Sequence, residues 1–225
     1  MIETATGPLH DGRARDYCLP LVVFAVFTTF ESVVPVEVYP LAYGVKAIAT
    51  AATLWLGRRA LRGVRLPAAA LGPAVLVGLF VLVEWLLLDR FVSYPQLGAR
   101  LAFNPLASIH SPAWRSVFLA IRLAGLIVVV PIIEELFWRG FALRYLTNAN
   151  WRAVSLGSFS VTAAAIATAG FAVTHPEWLA ALIAGAAYTG VLAWNRNLCA
   201  PIVAHATTNA GLGAYVLLTH HWQLW

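Results

Sequence analysis

Apolar residues in this chain come in runs long enough to treat as units. Seven stretches, residues 18–36, 39–57, 67–88, 114–133, 155–174, 178–194 and 198–219, each approach the roughly 20 mostly apolar residues that a helix needs to cross a hydrocarbon layer. The fourth keeps a helical pattern beyond its apolar part, through Glu134 to about Leu146, so a long and tilted helix is expected there. No internal repeat interrupts the series. The pattern predicts an all-α polytopic membrane protein, a bundle of about seven transmembrane helices, or eight, forming a single membrane-embedded domain over residues 1–225. Residues 1–17 are polar and read as a flexible tail. The first apolar run has no small-residue cleavage pattern and reads as a retained span.

Composition supports the lipid setting. Of 225 residues, 60% are hydrophobic and 11% charged, against about 45–50% and about 25% in soluble domains. The net charge of +5 does not call for nucleic acid, because the arginines cluster in short breaks between apolar runs, as the positive-inside rule describes. Residues 58–65 hold four of them, and Arg139, Arg144 and Arg152, then Arg196, then Arg13 and Arg15, form the other clusters, while the long loop 89–112 holds only Arg90 and Arg100. Seven spans put all of the clusters on one face, which makes the N-terminus cytoplasmic and the C-terminus external. Cys18 and Cys199 make neither a disulfide framework nor a zinc spacing and read as packing residues.

Ionisable residues inside spans are costly and usually face the bundle interior. Here they are Glu31, Lys46, Glu84, Arg122, Glu134, Glu135, Arg139, His175 and His205. Glu135 and Arg139 are four apart and share a helix face, whereas Glu134 lies about 100° round the helix. That spacing serves a structural ion pair and a functional carboxylate equally well. His205 and Asn209, also four apart, point the same way and could bind an oxyanion or bridge neighbouring helices. His175 ends the fifth run just before Pro176. Lys46, Glu84 and Arg122 fall toward the ends of their spans and read as a structural cluster in which Glu84 could pair with either cation. His220 and His221 lie among Trp222 and Trp225, as in an interfacial aromatic belt. His10 and His110 are loop residues with no evident partner.

A carboxylate with a histidine can deprotonate water, and donors can hold the resulting oxyanion. That is the chemistry of amide hydrolysis. No nucleophile elbow and no His-Glu-x-x-His helix is present. Glu134, His175 and His205 would nonetheless suit Zn²⁺ as three ligands with an open position, so metal-bound and metal-free water activation both stay open. A small transporter is a weaker alternative, since no inverted repeat is seen.

Glu-Glu-x-x-x-Arg at Glu134, Glu135 and Arg139, then Phe171 and His175, then His205 and Asn209, on successive helices, resembles the CAAX-prenyl-protease and bacteriocin-processing (CPBP, or Abi) intramembrane peptidases. The ending, from His205 to Trp225, resembles the CAAX-protease-related subgroup that accompanies exosortase and PEP-CTERM sorting systems. The resemblance implies a conical intramembrane cavity in a multi-pass protein of the bacterial inner membrane. It implies an endopeptidase acting on a membrane-associated peptide or protein. Glu134 would activate water with help from His175, His205 and Asn209 would bind the oxyanion, and Glu135 and Arg139 would orient the site. A divalent metal such as zinc is compatible with it and not required, a prenylated substrate is not implied, and some relatives are non-catalytic partners or immunity-type proteins.

One tension is visible at this point. The apolar limits place Glu134 and His205 toward one face and His175 toward the other. Hydrolysis needs these groups within hydrogen-bond reach or one water apart, so the helices must be staggered, tilted or broken, with Pro131 as a candidate kink.

Overall fold

The computed structural model describes residues 12–62, 64, 65 and 67–225. Eight helices follow in order: α1 (Ala14–Glu31), α2 (Tyr39–Leu56), α3 (Ala68–Phe91), α4 (Pro105–Ser108), α5 (Pro112–Thr147), α6 (Val161–Val173), α7 (Trp178–Asn195) and α8 (Cys199–Thr219). No strand occurs among the described residues. The architecture is the all-α polytopic bundle that the apolar runs predict, with a helix at each of the seven. By length and composition, α3, α5 and α7 qualify as membrane spans, and α6 is a shorter apolar helix.

One limit differs from the sequence expectation and another agrees with it. Most of the expected tail lies outside the described residues, but its end is ordered: α1 begins at Ala14, the Asp16 carboxylate accepts from the Arg13 N–H at 2.8 Å, and Tyr17 is fully buried. The fourth run continues past its apolar part as the pattern predicts: helix α5 is 36 residues long and ends at Thr147, so Glu134 sits inside it.

The bundle packs on small side chains and turns large ones outward. In α3, Ala70, Ala74, Gly78, Val81 and Trp85 form the buried stripe, while Leu76, Phe80, Val83 and Leu87 on the other faces are exposed. Both stripes are apolar, which is a stable arrangement only against lipid. Gly78 lets α8 approach closely. A Cβ there would stand 2.3 Å from the Ala204 carbonyl oxygen and 2.6 Å from the Thr207 Cβ. The same approach brings the Thr208 hydroxyl to 2.8 Å from the Gly78 carbonyl, to which it donates.

Helix α5 is not uniform. Wide π turns at Gly125–Val129 and Leu136–Ala142 flank a short α segment, Val130–Glu135. The first has a readable cause. The Val130 N–H donates five residues back to the Gly125 carbonyl. In that register the next carbonyl, Leu126, would be served by residue 131, which is proline and has no N–H. A buried carbonyl left unpaired inside a membrane bundle is costly. Asn209 of α8 supplies the missing donor, its side-chain Nδ2 lying 2.8 Å from the Leu126 oxygen. Pro131 therefore does not end the helix, because a neighbour completes it.

Gly78→Val should push α3 and α8 apart, and a drop in thermal stability of the purified protein, on the scale of about 1–3 kcal/mol for overpacking, is the expected reading. Asn209→Ala should cost about 1–3 kcal/mol by orphaning the Leu126 carbonyl. In a Pro131→Ala background, where an N–H is restored, at least half of that cost should vanish, which a double-mutant cycle of unfolding free energies measures.

Candidate active site

Two apolar clusters fill the interior. One runs through Tyr39, Tyr43, Trp85, Phe118, Phe171 and Tyr188; the other holds Tyr17, Leu136, Leu143, Trp151 and Leu198. Glu134, Glu135 and Arg139 lie on α5 beside both, since Leu136 belongs to the second cluster while Phe171 and Tyr188 belong to the first. Glu135 is fully buried and Arg139 nearly so. Arg139 Nη1 donates to Glu135 Oε1 at 3.0 Å, and its Nη2 donates to the Gly185 carbonyl of α7 at 2.7 Å. The guanidinium also lies 4.6 Å from the Phe171 ring centroid and 5.6 Å from that of Tyr188. One arginine thus joins α5, α6 and α7.

The same Glu135 oxygen accepts from His205 Nδ1 at 3.1 Å. A carboxylate held by an arginine can only accept, so the proton is on Nδ1, and Nε2 is the atom presented to the cavity. The His205 ring stacks on Tyr188 at 5.0 Å, and the Tyr188 hydroxyl donates to Thr208 Oγ1 at 2.8 Å. His175 is fixed by the same logic. Its Nδ1 is 2.9 Å from the Phe171 carbonyl, a pure acceptor, so its Nε2 also faces inward.

Both Nε2 atoms face one oxygen. Glu134 Oε2 is buried and has no hydrogen-bond partner. His175 Nε2 lies 3.8 Å from it and His205 Nε2 4.0 Å. These separations are too long for a direct hydrogen bond and short enough for one water to touch all three groups. Glu134, His175, His205 and Asn209 all line one cavity of about 280 Å³. The tension over the depth of His175 is resolved by two lengths. Helix α5 extends past Glu134 instead of ending there, and α6 has only 13 residues, about 20 Å of helix, so its C-terminal end stops beside Glu134.

Zinc ligands at about 2.0–2.1 Å in a tetrahedron are about 3.3 Å apart, closer than the separations at Glu134. Among the described residues no group of three or more His, Cys, Asp or Glu side chains is placed to hold a metal ion. As positioned, Glu134, His175 and His205 do not make a ligand set.

The cavity extends from Glu134 toward the start of α5, where the cluster differs from the sequence expectation. Lys46 pairs with Glu31, not with Glu84, and its Nζ also lies 4.6 Å from the Phe24 ring centroid. Neither carboxylate oxygen of Glu84 has a hydrogen-bond partner, so it joins neither cation. Arg100 is held by Glu177 through two hydrogen bonds of 3.1 and 2.8 Å. Arg122 is 9% exposed and has no ion pair among the described residues. Its guanidinium carbon lies 4.5 Å from the Tyr43 ring centroid and 5.3 Å from that of Trp225. Such contacts stabilise by about 0.5–2 kcal/mol each, while burying a charge costs several kcal/mol. The rings offset only part of that cost.

The sequence motifs point to Glu134, Glu135, Arg139, Phe171, His175, His205 and Asn209, and the structure brings all of them together. It adds Tyr188 and Thr208, which hold the His205 ring. Thr208 sits inside the His205 motif itself; Tyr188 stands alone on an Ala- and Gly-rich helix, where the one large polar ring is the available signal. His220 stacks on Trp222 at 5.6 Å, and His221 lies 3.8 Å from Asp89, both away from Glu134. His10 lies outside the described residues.

No curated protein and no solved structure gives a match to the chain. A family model does: residues 115–211, which carry every one of the seven motif residues, match the Rce1-like family, described as type II CAAX prenyl endopeptidase Rce1-like. Over that segment the chain is similar to a family of CAAX-type membrane endopeptidases.

Proposed function

We propose that the chain is an intramembrane endopeptidase in which Glu134 activates the water that hydrolyses a peptide bond. The carrying observation is the buried Glu134 Oε2, unpaired and faced by two imidazole Nε2 atoms at 3.8 and 4.0 Å. A water held there gives its proton to Glu134 as its oxygen attacks the scissile carbonyl carbon. The carbonyl π pair moves onto oxygen, and the oxyanion needs donors. Asn209 has two N–H groups and spends one on Leu126; the second supports the oxyanion. His205 can donate from Nε2 only when doubly protonated, because Nδ1–H is committed to Glu135. Collapse of the tetrahedral intermediate breaks the C–N bond, and the proton taken by Glu134 passes to the leaving amine, by way of His175.

The substrate in this reading is a membrane-anchored or membrane-proximal peptide, because the cavity opens among helices whose outer faces are apolar. A link to a protein-sorting system remains a proposal on the chain's ending, and an exosortase-type gene beside this one would support it.

Glu134→Gln keeps the side-chain shape and removes the base. Cleavage by the purified protein in liposomes should fall by about 10²–10⁴-fold, with unchanged accumulation and melting. Full cleavage by that variant would overturn Glu134 as the base, and absence of cleavage by the wild-type protein would leave a non-catalytic membrane partner as the better account. Arg139→Met should behave differently, losing about 3–5 kcal/mol of stability because it leaves Glu135 buried without its counter-charge, and a lowered melting temperature would show it.

A further inference from the structure

Arg122 is a second polar feature of the cavity that the proposed chemistry does not use. It is buried, it lines the same cavity as Glu134, and its Nε–H has no acceptor. Trp225 Nε1, against the same guanidinium, is another buried donor without a partner. Arg122 meets the Tyr43 hydroxyl and feels the charge of Glu31, but no acid among the described residues is paired with it. Lys46 uses Glu31, and Arg100 uses both oxygens of Glu177. Among these five groups one positive charge is left over, and it belongs to the arginine with the unused donor. A planar guanidinium with its Nε–H unused can receive a carboxylate or phosphate.

We infer that Arg122, with the Trp225 indole N–H, forms an anion subsite that holds a carboxylate of the peptide cleaved at Glu134. The inference rests on the peptidase reading of the site. Arg122 and Glu134 stand twelve residues apart on α5, about 18 Å along the helix, a distance that about five residues of extended peptide cover. Arg122 is then a specificity residue: it selects substrates with an acidic group about five residues from the scissile bond. A peptide carboxylate suits the subsite better than a lipid phosphate, because Arg122 shares a continuous cavity with Glu134 and is 9% exposed.

The probe is an N-acetylated, all-aliphatic pentapeptide made with either a C-terminal carboxylate or a carboxamide, titrated against the protein in phosphatidylcholine nanodiscs. The acid should bind about tenfold more tightly than the amide. Arg122→Gln should erase that preference while leaving amide binding unchanged, and Arg122→Lys should keep part of it. Equal affinity of acid and amide for the wild-type protein overturns the inference, as does a preference that survives in Arg122→Gln. If Arg122→Gln also loses the amide, the wild-type comparison and Arg122→Lys decide. Repeating the titration with phosphatidylglycerol present separates the sources: a preference erased by that lipid assigns the subsite to headgroups and overturns the peptide assignment. Failure of the peptidase reading looks different, since a Glu134→Gln protein that still cleaves refutes that reading without touching the acid preference.

Discussion

The fully buried carboxylate of Glu135 is the constraint on which the site depends. An ionised group with no solvent must be answered by its neighbours, and here a single oxygen is answered twice, by Arg139 Nη1 and by His205 Nδ1. Arg139 in turn reaches the Gly185 carbonyl and lies over Phe171. Four helices, α5 to α8, meet through these contacts. The helix that carries Glu135 also carries Glu134, so the demand for neutralisation at one carboxylate positions the other. The two adjacent glutamates differ in what their oxygens meet: Glu135 Oε1 is held by Arg139 and His205 while its Oε2 is unpaired, and the unpaired Glu134 Oε2 is the one faced by two imidazoles.

Much of this was legible in the chain. The seven apolar runs are visible because lipid demands long segments without charge, and a helix lies at each. The pairing of Glu135 with Arg139, and the shared face of His205 and Asn209, follow from four-residue spacing alone. Other features leave no local mark. The donor for the Leu126 carbonyl comes from Asn209, 83 residues away, so Pro131 reads as a break until the neighbour is known. The apolar run that ends at His175 looks like a full span, while the helix within it has only 13 residues. Hydropathy reports where a segment is comfortable and does not report where its helix stops. The partner of Lys46 is hidden for a related reason: Glu31 and Glu84 are equally plausible by composition, and the turn between α1 and α2 brings Glu31 to it.

Asn209 illustrates how a polar residue in a membrane can hold two positions at once. Its amide repairs the backbone of α5 and still has an N–H to present to the cavity. The division between a residue that keeps the fold and one that serves the chemistry therefore fails at this position. Loss of the side chain would disturb the helix carrying Glu134 as well as the proposed oxyanion contact.

The paired π turns of α5 have a consequence for how this chain can vary in length. Each wide turn behaves as an extra residue lodged in a continuous helix, and it shifts the angular phase of everything beyond it. Between them, Val130–Glu135 is a short segment whose facing is set by two phase shifts rather than by its own sequence. A single-residue deletion within either turn would let the backbone relax into ordinary α-helix with little strain. It would also rotate the glutamates relative to Arg139, or relative to Asn209 and the start of the helix. Length is thus under constraint in the middle of a helix.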